Sequence, residues 1–288
     1  AALIREATVG VIIGNVLNIA LDWLFIVPWG MGTAGAALAT SLGYVASTGY
    51  YLWCVFSQKR KGNDTVSVSL KGSLKSGKIA GNVVKIDIPG ALITVMLSVS
   101  NIVLNSHVAQ YGSDVVACYG IAYKLSLFAV LLSVGLAQGI APLFGFCYGA
   151  KQMDRLRRSV YMGASFDILL GVFFAAAFAL FGRTLTAFFL DDGKLIAQSA
   201  SFLGVIGLSA PLIGVINIVT SYFQALGKAV NSMIITMLRN VVLFIPGVML
   251  MDALWSLPGV IATQPVVEFV VMAVSIILYF LNQKRENV

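Results

Sequence analysis

Charge is what this sequence has least of. Only 11% of its 288 residues are charged and 59% are hydrophobic, and the mean hydropathy is +0.91. A soluble domain carries about 25% charged residues and roughly 45–50% apolar ones, so there are too few charges here to clothe a water-facing surface. A soluble enzyme, a nucleic-acid binder and a secreted disulfide scaffold are excluded. Histidine occurs once, as His107, which excludes a mechanism needing several imidazoles. Cys54, Cys118 and Cys147 are odd in number and widely spaced, with no metal or redox spacing, and read as small apolar packers. No Walker motif, no His-x-x-x-His and no Ser/His or paired-Asp constellation is present. Neither an ATP-driven pump in one chain nor an intramembrane enzyme is therefore expected, and no cofactor is implied. The start, Ala1-Ala2-Leu3, has neither an initiator Met nor a signal peptide, and reads as part of something longer.

Long apolar runs are what the sequence does have. A spanning helix needs about 20 mostly apolar residues. Eight runs qualify: Ala7–Pro28, Gly32–Phe56, Val84–His107, Val115–Gly149, Val160–Gly182, Ala197–Leu226, Ala229–Met251 and Pro258–Leu281. The fourth is long enough to tilt or kink, and Gly135, Gly139 and Pro142 supply the means. The alternating segments of about ten residues that mark a β-barrel do not occur. The expected fold class is an all-α integral membrane protein of about eight transmembrane helices.

Orientation follows from the basic residues. Arg5, Lys59, Arg60, Lys61, Lys71, Lys75, Lys78, Lys85, Lys151, Arg155, Arg157, Arg158, Lys228, Lys284 and Arg285 fall on one side, and only Arg183 and Lys194 on the other. By the positive-inside rule both termini are cytoplasmic. The formal net charge of +7 thus reflects topology rather than a nucleic-acid partner. Trp23, Trp29 and Trp255 fall at outer ends, and Tyr50, Tyr51 and Trp53 at an inner end, as aromatic belts. The stretch from Ser57 to about Asn82 is basic and rich in Gly and Ser, and reads as a cytoplasmic linker. The expected organisation is residues 1–57, a linker at 58–82, and a six-helix lobe at 83–288.

Sliding the chain on itself by 224 residues sets the first two spans over the last two, with Asn15 on Arg239 and Gly35-Ala36 on Gly259-Val260. Repeats with a binding site between them are a common plan for secondary transporters. One copy is complete at six helices and the other shows only its last two, so four helices are expected to be missing before residue 1.

A few polar residues stand inside the spans. Asn18 and Asp22 are four apart and share a helix face. Asp22 lies about 9 Å inward from Pro28, and Thr40 about 12 Å inward from Gly32 in the next, antiparallel span. The run Gly35, Ala36, Ala37 and Ala39 allows close helix approach. A hard cation such as Na⁺ wants such oxygens, whereas a proton needs only the carboxylate. The competing reading is an acid near enough to the interface to snorkel or cap. Arg239 and Glu268 each lie about 15 Å deep in adjacent spans, where a charge pair is the simplest account. Lys124, about 13 Å from the outer end, and Asp167, about 10 Å from the inner end, are expected to pair in the same way. Structural locking is favoured over substrate contact for both pairs.

The stretch Asn18-Ile19-Ala20-Leu21-Asp22, then Phe25-Ile26, then Gly35-Ala36-Ala37-Leu38-Ala39-Thr40, resembles helices five and six of the MATE (multidrug and toxic compound extrusion) transporters. Gln138, Pro142, Gly145, Tyr148, Gly149 and Ala150 resemble that family's pattern ending helix eight, and Gln224-Ala225-Leu226-Gly227 the end of helix ten. Pro89 sits where helix seven carries its proline. The resemblance covers essentially the whole chain in order. It implies helices five to twelve of twelve, the last two of an N-terminal lobe followed by a complete C-terminal lobe.

The resemblance further implies a multi-pass protein of the plasma membrane that acts as a monomer at full length. Its implied activity is multidrug efflux, the antiport of Na⁺ or H⁺ against organic, often cationic, compounds as two lobes rock. One branch of the family couples through an Asp, an Asn and a Thr at the places of Asp22, Asn18 and Thr40, with a further Asp from its first helix. Another branch places acids within helices seven and ten. The corresponding spans here hold Asn101, Asn105 and Asn217 but no interior acid, and Asp87 lies too shallow to substitute. Those asparagines and Gln224 are expected to line the cavity or to bond between helices, with bonding between helices favoured for the asparagines. A related flippase for lipid-linked saccharides is the alternative, although it would call for a strongly basic cavity.

Overall fold

The computed structural model describes residues 2–60 and 95–286. Residues 61–82 of the expected linker, together with Asp87 and Pro89, lie outside the described residues. The chain divides into two compact units, residues 1–81 and residues 82–288.

The first unit is a pair of helices, α1 (Ala2–Ile26) and α2 (Gly32–Arg60). Pro28, which has no N–H to donate, stops α1. Gly30 and Gly32 then turn the chain with φ of 62° and 55°, values open to glycine without strain. The two helices touch backbone to backbone. A Cβ on Gly43 would lie 2.8 Å from the Gly14 carbonyl oxygen, and one on Gly14 would collide with Ser47 Oγ. Ser47 in turn donates to the Gly10 carbonyl at 3.0 Å. Gly10-x-x-x-Gly14 on α1 therefore provides the close approach, in addition to the expected run on α2, of which Gly35 and Ala39 are buried.

The second unit holds α3 (Val95–Ala109), α4 (Ser113–Gly149), α5 (Met153–Ala187), α6 (Gly193–Gly207), α7 (Ala210–Ala225), α8 (Ala229–Met237), a π-helical turn (Leu238–Val242) and α9 (Phe244–Glu286). α4 runs through Pro142 without interruption. The span expected over Ala197–Leu226 is instead two helices, α6 and α7. Pro211 is the reason, because its ring would collide with the Gly207 carbonyl four residues earlier and it has no N–H to return. The spans expected over Ala229–Met251 and Pro258–Leu281 run together. They are divided by a break at Ser256, where φ is 53° and ψ is −141°.

Five stretches of the described residues are long and apolar enough to cross a bilayer: Thr8–Ile26, Ser113–Gly149, Met153–Ala187, Gly193–Ala225 and Ala229–Lys284. The last, at 56 residues, has the length for two passages. α2 is less apolar because it carries Thr40, Ser41, Ser47 and Thr48, whose hydroxyls bond to backbone carbonyls. No strand occurs among the described residues. Large apolar side chains such as Phe128, Leu169 and Leu180 stand exposed, and so do all four tryptophans. A lipid solvent accounts for that surface and water does not. The chain is an all-α membrane protein.

Two apolar clusters form the core of the second unit. One gathers Val115, Cys118, Ala122 and Ala129 of α4, Phe178 of α5, Leu203 and Ile206 of α6, and Val248 and Val260 of α9. The other gathers Ala137, Phe144 and Cys147 of α4, Leu156 and Val160 of α5, Val215, Ile218 and Phe223 of α7, and Val267, Val271 and Tyr279 of α9. Polar side chains also turn inward on these helices: Ser133 on α4 and Asp167 on α5 between the two clusters, Asn217 on α7 and Glu268 on α9 within the second. All three cysteines are free and buried, as apolar packers should be.

Candidate functional site

In the first unit the close backbone contact brings Asn18 to Thr40. The Asn18 amide Nδ2 donates to Thr40 Oγ1 at 3.3 Å, and the Thr40 hydroxyl donates to the Ala36 carbonyl at 2.8 Å. Both side chains line a cavity of about 240 Å³ with Asn15, Tyr44 and Tyr51. Asp22 stands one turn further along α1 and bonds to neither. Its Oδ1 is buried with no hydrogen-bond partner. A carboxylate oxygen without a partner, beside an amide and a hydroxyl, is an acceptor for a proton or a small hard cation. Asp22 is not among the residues that line the cavity shared by Asn18 and Thr40. No cluster of three His, Cys, Asp or Glu suited to a transition metal occurs among the described residues.

In the second unit Arg239 and Glu268 meet. Arg239 Nε donates to Glu268 Oε1 at 2.8 Å, and Nη2 lies 2.7 Å from the same oxygen. Glu268 Oε2 is buried and unpartnered. The two side chains form part of the wall of a cavity of about 330 Å³, shared with Asn101, Tyr119, Tyr123, Asn240 and Gln264. Arg239 belongs to the π-helical turn, a local widening that turns side chains away from regular helical spacing and often accompanies function. The Asn240 carbonyl of that turn also accepts from Ser100 on α3.

The expected pairing of Lys124 with Asp167 does not occur. Asp167 is 1% exposed and accepts from Ser133 Oγ at 3.1 Å, while Lys124 is exposed. Lys124 and Ser133 are nine residues apart, two and a half turns at about 3.6 residues per turn, so they occupy opposite faces of α4. An acid that faces one cannot face the other. Among the polar span residues, Asn217 bonds between helices, its Nδ2 donating to Ser133 Oγ at 2.9 Å. Asn101 and Asn105 instead donate within α3, to the carbonyls of Leu97 and Asn101. Asn101 lines the larger cavity, whereas Asn105 and Gln224 are exposed.

One cluster had no signal in the sequence. Beyond the end of α3 the Tyr111 hydroxyl donates to Asp252 Oδ1, and His107 Nε2 lies 4.0 Å from Asp252 Oδ2. His107 Nδ1 is 2.8 Å from the Val103 carbonyl, which can only accept, so Nδ1 carries the hydrogen. The bond to Asp252 pushes the Tyr111 phenol above its ordinary value, with burial adding to the effect and the Ser256 side chain opposing it. These residues tie the α3–α4 turn to the break in α9.

A family model described as MatE matches residues 89–250. The chain is 29% identical over 279 residues to the multidrug export protein MepA of Staphylococcus aureus strain MRSA252, covering 96% of this chain and 60% of that protein. It is 27% identical over 279 residues to the MepA of Staphylococcus saprophyticus, with the same shares. It thus spans about 60% of the length of the curated relatives it matches. Among solved structures, an outward-facing multidrug resistance MATE family transporter of the MOP superfamily superposes with a TM-score of 0.80 at 21% identity, covering 95% of this chain and 61% of that one. The Vibrio cholerae MATE transporter VcmN in its bent form gives 0.75 at 20%, covering 96% and 62%. At such identity these two establish the fold.

Proposed function

This chain belongs to the MatE family, and from that premise we propose that it is part of a membrane-embedded secondary transporter that exports organic, often cationic, drug-like compounds in exchange for Na⁺ or H⁺. The multidrug export for which its relatives are named supports the class of cargo. In this reading residues 1–57 supply the last two helices of one lobe, residues 58–82 the linker, and residues 83–288 the other lobe. Alternating access is the rocking of the lobes about a central site. The distribution of Lys and Arg supports a plasma-membrane orientation with both termini cytoplasmic.

The observation that carries the coupling is the buried, unpartnered Oδ1 of Asp22 beside the Asn18–Thr40 bond. An intramembrane acid costs about 2.5–3.5 kcal/mol on insertion scales and is seldom idle. Bound Na⁺ or H⁺ satisfies the acid, and its release toward the side of lower ion potential drives the lobes to the other state. The test is dye efflux from cells or vesicles carrying the protein at its full natural length, with imposed Na⁺ and H⁺ gradients. Asp22→Asn should abolish gradient-driven efflux while membrane insertion is kept. Asn18→Ala and Thr40→Ala should weaken sodium dependence more than proton dependence, because only a metal needs their oxygens. Efflux at the unmodified rate from Asp22→Asn would overturn the reading.

A further inference from the structure

Asp167 plays no part in the coupling just described, and its surroundings are those of a binding site. Its carboxyl is buried where α4, α5 and α7 meet. Ser133 of α4 donates to Oδ2 at 3.1 Å, and Asn217 of α7 donates to the Ser133 oxygen at 2.9 Å, so a two-link chain of donors points at the acid. On the remaining side the α7 backbone presses against it: a Cβ on Gly214 would lie 2.9 Å from both Cγ and Oδ1. Nothing larger than glycine fits there.

No charge answers it. The charged residues of α4 are Asp114 and Lys124, that of α6 is Lys194, and α7 has none. Tyr222, the one phenol of α7, is instead the acceptor for Asn282 at 3.0 Å. On α5 itself Asp154, Arg155, Arg157, Arg158 and Arg183 lie at least nine residues away. None of these is in ion-pair contact with Asp167 among the described residues. A metal ion would need several oxygens around it, but the neighbours here present donors.

We propose that Asp167 is a proton-binding carboxyl, held neutral in this arrangement, whose ionisation requires α7 to draw back from α5. A bare carboxylate needs more donors or water than Ser133 alone supplies, and Gly214 leaves no space for them while the helices are closed. Proton occupancy and the α5–α7 contact are therefore linked: proton-bound is closed, proton-free is open. The Asp22 reading concerns the other unit and can fail without touching this one.

The test is infrared difference spectroscopy of the chain in nanodiscs, with carboxyl-labelled ¹³C-aspartate and a pH titration. At neutral pH the unmodified chain should show the carbonyl stretch of a protonated aspartic acid, shifted by the label and retained in Asp22→Asn. Asp167→Asn should lack it. Ser133→Ala, which removes the donor that steadies the anion, should hold the band to higher pH. Spin labels on α5 and α7 should separate as the band disappears. Absence of a labelled protonated-acid band at neutral pH, its survival in Asp167→Asn, or titration without helix separation would each overturn the proposal. The first and last of these outcomes are read in chains that keep Asp167, so a failure of the Asn variant to fold leaves the proposal testable.

Discussion

Gly32 and Ser256 share a positive φ, 55° at Gly32 and 53° at Ser256. They are the residues that coincide when the chain is slid on itself by 224 positions. One follows the first helix of the α1–α2 pair and the other divides α9, so the faint sequence repeat is matched by a repeated positive φ. In the first copy it falls on a residue without a Cβ. In the second it falls on serine, which a positive φ strains by about 1–3 kcal/mol.

Ser256→Gly should therefore be more stable than Ser256→Ala by about 1 kcal/mol or more. Both variants lose the serine hydroxyl, so their difference isolates the backbone. Thermal unfolding in detergent or nanodiscs measures it. Equal melting temperatures would mean that Ser256 carries no strain.

Half-buried Arg239 and buried Glu268 form a pair, and breaking it from one side leaves a charge without an answer. Arg239→Ala should cost about 3–5 kcal/mol, whereas Arg239→Met with Glu268→Met should cost far less, since no charge is stranded. The same unfolding assay compares them. A double variant as damaged as the single would show that packing matters here and ion pairing does not.

Tyr111 gives a pH dependence with a definite sign. Its folded-state value is raised, so its contribution is complete below the ordinary tyrosine value of about 10 and fades as pH rises through the raised one. The stability advantage of the unmodified chain over Tyr111→Phe should thus hold from neutral pH to about 10 and vanish above it. Asp252→Asn should bring the phenol's ultraviolet titration back toward the ordinary value, read as the difference from the same chain carrying Tyr111→Phe. An unmoved titration would remove Asp252 as the cause.

Depth is legible in a sequence and azimuth much less so. Arg239 and Glu268 were within reach because opposite charges at matched depth in adjacent spans have few other places to go. Lys124 and Asp167 failed the same reasoning, since spacing from a helix end says nothing about which face a residue presents to the next helix. The Pro211 break and the Gly10-x-x-x-Gly14 contact were open to reading, by the missing N–H and the four-residue glycine spacing. The π-helical turn at Arg239 and the turn at Ser256 were not, because neither residue type marks such a conformation. Asn18 and Thr40 were brought together because a tight turn between antiparallel helices converts equal depth into proximity.

The contact between Gly14 and Gly43 bears on how force travels. With carbonyl against Cα and no side chain between them, α1 and α2 have nothing compressible at their crossing. They can tilt only as one rod. In the proposed reading an ion at Asp22 would act near one end of this pair, and a displacement of Asn18 would be passed through the crossing to α2.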